Sequence, residues 1–97
     1  MKLTKARVLS SLTIHRARLN DFGVRKLALF GSVAEGKQAA GSDLDFLVEF
    51  DRATFDRYMD LKQFFEGLFR RKVDLVLADA LKPALRPRIT RQAVHVA

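Results

Sequence analysis

Three aspartates occur in segments that are typical of β-strands, where an acidic side chain is unfavourable unless it is exposed or has a partner. Asp43 and Asp45 are two residues apart, so the alternation of a strand directs both side chains to the same face. Two ionised carboxylates at that spacing repel each other unless a cation lies between them. Asp74, in a later segment, is a candidate third ligand. The acids therefore predict a site for Mg²⁺, and three of them could hold two ions about 3.5–4 Å apart, as in two-metal phosphoryl transfer.

A Gly-Ser pair precedes these acids and has the chemistry of a phosphate site. Gly31 and Ser32 directly follow an apolar segment and open a possible helical turn at residues 33–35. Because Gly31 has no Cβ, the backbone N–H groups and the Ser32 hydroxyl can face a phosphate anion. Taken singly, Ser32 is more often a turn residue or helix N-cap, and an Asp-x-Asp pair is more often the solvated face of an edge strand. Neither of these readings explains the whole set.

Two helices are predicted from apolar residues at steps of three and four. The first begins after Thr4 and ends near Gly23. The second is capped by Asp51 or Thr54 and ends near Arg70 and Arg71. Its predicted core-facing side comprises Phe55, Tyr58, Leu61, Phe65 and Leu68.

Three strands are predicted at Val24–Phe30, at residues 43–50 and at Val73–Leu77. The tail contains Pro83 and Pro87, which favours a short irregular helix around 82–91 and an extended end at 93–96. Together these elements predict an α/β (α+β) fold with a small mixed sheet of three or four strands. Helices pack against this sheet, and the acidic face is open to solvent.

Length and composition exclude several classes of protein. The chain has 97 residues, a formal net charge of +7 and no cysteine, so disulfides, Cys-ligated zinc and thiol catalysis are excluded. No apolar run approaches the roughly 18 residues of a membrane span, and the first residues lack the apolar segment of a signal peptide. We therefore expect a single domain over residues 1–97, in the cytoplasm and without membrane association. The net charge leaves open a small basic module that binds nucleic acid.

The motifs resemble those of a known family. Residues 30–36 read Phe-Gly-Ser-Val-Ala-Glu-Gly, residues 42–50 read Ser-Asp-Leu-Asp-Phe-Leu-Val-Glu-Phe, and residues 73–76 read Val-Asp-Leu-Val. In this order and spacing they are similar to the minimal nucleotidyltransferases, the MNT group of the polymerase-β-like superfamily. The resemblance covers roughly residues 4–95, and the combination of motifs is specific although each motif alone is weak.

The resemblance implies a role for each site residue. Gly31 and Ser32 would bind the triphosphate of ATP, and Asp43 and Asp45 would bind Mg²⁺, with two ions expected. Asp74 would complete the metal site and help to activate the acceptor hydroxyl. Members of the group act as antitoxins of HEPN ribonuclease toxins, and they neutralise the toxin by transferring AMP to a tyrosine hydroxyl. The resemblance therefore implies a protein adenylyltransferase whose partners are ATP and a HEPN-family toxin.

One departure from the family pattern leaves a second reading open. The family usually has arginine at the position of Glu35, so a phosphate-facing cation is replaced by an anion unless Lys37 or the partner supplies one. A catalytically weak or inactive antitoxin that acts by binding alone is the alternative. A nucleic-acid-binding module, argued only from the charge and the clustered arginines, is the third reading.

Overall fold

The computed structural model describes residues 4–34, 43–80 and 94–95. Its helices are α1 (Lys5–Ile14), α2 (Arg16–Asp21), α3 (Gly31–Ala34) and α4 (Phe55–Phe69), followed by a 3₁₀ turn at Ala78–Ala80. Its strands are β1 (Val24–Phe30), β2 (Leu44–Phe50), β3 (Val73–Leu77) and β4 (Val94–His95). The predicted irregular helix at 82–91 lies outside the described residues.

The four strands form one mixed sheet in the order β3-β2-β1-β4. β1 is antiparallel to both β2 and β4, whereas β2 and β3 are parallel. The predicted small mixed sheet is confirmed, and the described part of the extended tail is its fourth strand. β3 is an edge strand, and β2 lies between β3 and β1.

The core lies between the helices and one face of the sheet. Strand β2 alternates buried and half-buried residues along its whole length, which is the pattern of a strand with one face in the core. The aromatic rings of Phe46 on β2 and Phe65 on α4 are 4.8 Å apart, and Val8 and Leu12 of α1 complete the contact region. The opposite face of β2 carries Asp45, Leu47 and Glu49, all half-buried.

The predicted single N-terminal helix is in fact two helices, so that prediction was wrong at His15. The Thr4 hydroxyl caps α1 by accepting a hydrogen bond from the Arg7 N–H, as expected. The Thr13 hydroxyl donates to the Leu9 carbonyl at 2.9 Å, and His15 leaves the helical region with φ −98° and ψ 21°. Side-chain bonds to the carbonyl four residues back bend helices. Gly23, with φ +81°, ends the helical segment as predicted.

Helix α4 follows the sequence prediction except at its first residue. The Thr54 hydroxyl accepts a hydrogen bond from the Arg57 N–H at 3.1 Å, so Thr54 and not Asp51 is the N-cap. Leu61 and Phe65 are fully buried as expected. Phe55 is 77% exposed, which contradicts its predicted core position. Its place at the start of the helix explains this, because the contacts of α4 with the core begin one turn later, at Tyr58.

Two side chains of α4 bind the backbone of the edge strand β3. The Tyr58 hydroxyl donates to the Leu75 carbonyl at 2.7 Å, and the Val73 N–H donates to the Glu66 carboxylate at 3.1 Å. These two backbone groups are on either side of Asp74. The hydrogen bonds therefore fix the part of β3 from which the Asp74 side chain projects.

Candidate active site

The sheet register brings Asp45 and Asp74 together. Asp45 on β2 is paired with Asp74 on the parallel strand β3 and with Phe30 at the end of β1. Residues paired across a sheet project from the same face. Asp43 immediately precedes β2 and is exposed, two residues before Asp45. The three predicted acids therefore lie at one end of the sheet, on the face away from the helices.

The charges of these acids act on one another. The pKa of Asp45 is raised above its ordinary value, first because the carboxyl is partly buried, and then because of the negative charges of Asp74 and Asp43. Burial and like charges both disfavour the ionised form of an acid. The ionised form of Asp45 is therefore disfavoured in the unliganded protein.

Gly31 lies directly against the Asp45 carboxylate. Its φ is +80°, a left-handed backbone conformation that residues other than glycine rarely adopt. A Cβ at this position would overlap Asp45 Oδ2 and would lie 3.1 Å from Asp45 Cγ. Glycine is therefore required here both by the backbone conformation and by the close approach of the acid.

The backbone of Ser32 lies in α3, which runs from Gly31 to Ala34. The helical turn predicted at residues 33–35 thus begins two residues earlier than expected, and Glu35 lies outside the described residues. The structure brings the Gly-Ser turn next to Asp45, so the two motifs that were identified separately in the sequence are neighbours in space.

The donor set fits a hard divalent cation. Carboxylate oxygens are the ligands that Mg²⁺ prefers, and a cation would offset the repulsion that raises the pKa of Asp45. Within the described ranges, however, no three His, Cys, Asp or Glu side chains already form a group that could hold a metal ion. The chemistry of the acids therefore suits the metal, while the ligand geometry is not preformed.

The residues that hold β3 were not identified from the sequence. Tyr58 and Glu66 bind the strand on either side of Asp74, but they are distant from it along the chain. The helical pattern assigned Tyr58 to the apolar face of α4, and Glu66 carries no motif. Only the packing of α4 beside the edge of the sheet shows their contacts with β3.

The chain is similar to a known protein family and to individual members of it. Residues 13–97 match the family model described as polymerase beta, nucleotidyltransferase. A protein adenylyltransferase MntA of Thermococcus cleftensis is 34% identical over 96 residues, and the alignment covers 97% of each chain. This relative has nearly the same extent as the present chain.

Solved structures share the fold. One that is classed as a minimal nucleotidyltransferase superposes with a TM-score of 0.82 at 31% identity and covers 95% of each chain. Another contains a tri-AMPylated HEPN toxin of Shewanella oneidensis in complex with an MNT antitoxin. It matches with a TM-score of 0.66 at 19% identity, over 91% of this chain and 70% of that one. At that identity the second likeness shows the fold alone.

Among the helices that the structure describes, none has the length and the apolar composition of a membrane span.

Proposed function

Because this chain belongs to the polymerase β nucleotidyltransferase family, we propose that it is a Mg²⁺-dependent protein adenylyltransferase. It transfers AMP from ATP to a hydroxyl group, that of a tyrosine, on a HEPN-family ribonuclease toxin, and thereby neutralises the toxin. Asp43, Asp45 and Asp74 are the proposed catalytic and metal-binding residues, and Gly31 and Ser32 are the proposed nucleotide-binding residues. Since ATP is the donor, the proposal locates the protein in the cytoplasm.

The observation that carries this proposal is the convergence at Asp45. Its register partner is Asp74, and the backbone of Gly31 meets its carboxylate on the other side. A group that suits metal ions therefore adjoins a turn that suits phosphate. The name of the relative in Thermococcus cleftensis supports protein adenylylation, and the complex from Shewanella oneidensis suggests the class of acceptor.

In the proposed reaction the acceptor oxygen bonds to the α-phosphorus of ATP, and the bond from that phosphorus to the bridging oxygen of pyrophosphate breaks. Asp74 accepts the hydrogen bond of the acceptor hydroxyl, orients its oxygen toward the phosphorus and takes the proton that the hydroxyl loses. The backbone at Gly31 and Ser32 holds the triphosphate. The rate enhancement comes from positioning and from the neutralisation of charge.

Asp43, Asp45 and Asp74 would hold the Mg²⁺ ions. When bound, the metal supplies Lewis-acid stabilisation of the phosphate charge. Asp45 is the central ligand in this assignment because it lies between Asp74 and the Gly-Ser turn.

The test is transfer of label to the partner. The protein is incubated with Mg²⁺, ATP labelled at the α-phosphate and a HEPN-family ribonuclease as the candidate partner, and the partner is assayed for label and for ribonuclease activity. We expect label on the partner and loss of its ribonuclease activity. Asp43→Ala and Asp74→Ala should abolish both effects, and Gly31→Ala should reduce labelling strongly because its Cβ would displace Asp45. An unlabelled, fully neutralised partner would contradict the proposal.

Binding without catalysis is the second candidate, and Glu35 is the observation that favours it. Where the family has a cation, this sequence has an anion, which weakens attraction for a triphosphate. Under this alternative, Asp43→Ala and Asp74→Ala still neutralise the partner. Glu35→Arg should accelerate labelling if the proposed reaction takes place, because it restores the cation that the family has at this position.

A further inference from the structure

A basic loop, residues 70–72, leads into the strand that carries Asp74, and the proposed function does not use it. The loop has the sequence Arg-Arg-Lys and joins the end of α4 to the start of β3. The Lys72 carbonyl accepts a hydrogen bond from the Leu44 N–H at 3.1 Å, so the loop is tied to the start of β2 as well. It therefore lies at the same end of the sheet as the three aspartates, on the β3 side of them.

The geometry of the proposed reaction determines which substrate comes close to this loop. In phosphoryl transfer the attacking and leaving oxygens lie roughly in line, on opposite sides of the phosphorus. Pyrophosphate leaves toward Gly31 and Ser32, which follow β1, whereas the acceptor hydroxyl is bound by Asp74 on β3. Since β2 lies between β1 and β3, the acceptor approaches from the β3 side. The basic loop is therefore next to the path of the acceptor and away from the triphosphate.

Two cations of the basic loop are exposed. Arg70 and Lys72 are open to solvent, and within the described ranges neither forms an ion pair. Side chains alternate along a strand, and Asp74 is exposed between two buried neighbours. Lys72, two residues before Asp74, therefore lies on the same face of the sheet. Its ammonium group is accessible to a molecule that binds at Asp74.

Arg70 is held in an unfavourable backbone conformation. It ends α4 with φ 53° and ψ 43°, and in the part of the chain that the structure describes no other residue except glycine has a positive φ. Glycine or asparagine is usual at this position of a helix, because the left-handed conformation costs other residues stability. The arginine charge interacts favourably with the carbonyl end of α4, but a cation within the last turn would do so without strain. A strained residue of this kind is a candidate for function.

We propose that Arg70 and Lys72 bind acidic side chains of the acceptor protein, close to the hydroxyl that receives AMP. The inference rests on the proposed function and adds the surface and the charge by which its acceptor is recognised. Opposite charges across an interface accelerate association and select the partner. An acidic side chain suits this surface better than RNA does. The chain of phosphates in RNA would pass the carboxylates of Asp43 and Asp74, whereas one acidic side chain can contact the cations alone.

The experiment measures initial rates of AMP transfer to a HEPN-family ribonuclease, first at varied partner concentration with saturating ATP and then at varied ATP. We expect Lys72→Ala and Arg70→Gly each to raise the KM for the partner about two- to fivefold, the range for loss of an exposed ion pair. The KM for ATP should be unchanged, because the triphosphate lies on the other side of the aspartates. Lys72→Arg and Arg70→Lys should retain the wild-type KM for the partner.

Arg70→Gly has a second expected effect that a structural role would not produce. Glycine relieves the left-handed backbone, so this variant should have a higher Tm than wild type although its KM for the partner is raised. A purely structural arginine would lower the Tm and the partner affinity together when it is replaced. In wild type the KM for the partner should also rise with ionic strength, and it should rise less when both cations are removed.

Lys26→Ala is the matched control. Lys26 is an exposed lysine of the same sheet, and it is paired with Glu49 at the end away from the aspartates. Its removal changes the net charge as much as the removal of Lys72 does. Because it is distant from the path of the acceptor, Lys26→Ala should leave both KM values unchanged.

Several results would overturn the inference. A partner KM that is the same in wild type, Lys72→Ala and Arg70→Gly would do so, as would an equal rise in Lys26→Ala, which would indicate net charge alone. RNA affinity that falls in the first two variants while the partner KM is unchanged would assign the basic loop to RNA instead. A wild-type protein that labels no partner would overturn the proposed function as well, whereas transfer that ignores Arg70 and Lys72 overturns this inference alone.

Discussion

Asp45 and Gly31 lie close together where the two motifs of the site meet. The left-handed backbone at Gly31 and the position of the Asp45 carboxylate depend on each other, because a Cβ on the first would overlap the second. The same carboxylate is partly buried and has two acids near it. A residue held in an unfavourable electrostatic environment is typical of a functional site, where binding of a ligand compensates the cost.

The raised pKa of Asp45 predicts a dependence of stability on pH. The folded protein holds the Asp45 proton more tightly than the unfolded chain, so this residue lowers stability as pH rises from the ordinary aspartate pKa through the raised one. Without metal at neutral pH, Asp45→Asn should therefore raise the Tm by a few degrees. The advantage should disappear at pH values below the ordinary aspartate pKa, where both forms are neutral. Thermal melting in EDTA across this pH range measures both effects.

Asp60→Asn is the control for that experiment, because Asp60 is an exposed aspartate on α4 and its removal changes the net charge equally. It should show little of the gain. A Tm that falls in Asp45→Asn at neutral pH would contradict the electrostatic explanation and would indicate that the carboxylate stabilises the fold through contacts.

At the scale of elements, α4 and β3 form the support of the third acid. β3 has a neighbour on one side only, so its outer N–H and C=O groups need other partners. Tyr58 and Glu66 supply partners for two of these groups, at 2.7 Å and 3.1 Å. The orientation of Asp74 therefore depends on α4, the helix whose buried side chains pack in the core.

Removal of the Tyr58 hydroxyl tests this support. Tyr58→Phe leaves the Leu75 carbonyl without its partner and should cost about 1–2 kcal/mol of unfolding free energy. Urea denaturation measures the difference. For the second bond, Glu66→Gln keeps an oxygen that can accept from Val73 and should remain close to wild type, whereas Glu66→Ala should lose stability. Equal stability of Tyr58→Phe and wild type would show that water replaces the hydroxyl at no cost.

For the whole molecule, the aromatic cluster of the core supports the strand that carries the site. Phe65 is fully buried, and its ring centre lies 4.8 Å from that of Phe46 and 6.0 Å from that of Phe69. Phe46 is the neighbour of Asp45 in β2 and projects to the opposite face. The packing of the core therefore fixes the strand that carries the central acid.

Truncation of Phe65 should destabilise the entire domain. Phe65→Ala should cost about 3–5 kcal/mol of unfolding free energy, a large part of the total for a domain of this size. Phe55→Ala is the matched control, since Phe55 is on the same helix but 77% exposed, and it should change stability by less than about 0.5 kcal/mol. Similar losses in the two variants, measured by urea denaturation, would contradict the assignment of the core.

The sequence predicts the elements well where the signal is local. Alternating residues define β2, and the hydroxyl of Thr54 marks the start of α4. The break at His15 depends on side-chain bonds within a helix that has no proline or glycine there. The exposure of Phe55 depends on where the contacts of α4 with the core begin, so neither has a periodic signal. For the site, the spacing of Asp43 and Asp45 predicts a shared face. The pairing of Asp45 with Asp74 and the close approach of Gly31 require the sheet register, which is a long-range property.

The hydrogen bonds from α4 to β3 also determine how the molecule can meet other chains. An extended peptide commonly joins a sheet by pairing with the free backbone groups of an edge strand. Because the Val73 N–H and the Leu75 carbonyl are already bonded to side chains, a peptide that added to β3 would have to displace both of these bonds. This border of the sheet is therefore less open to lengthening into intermolecular β-structure.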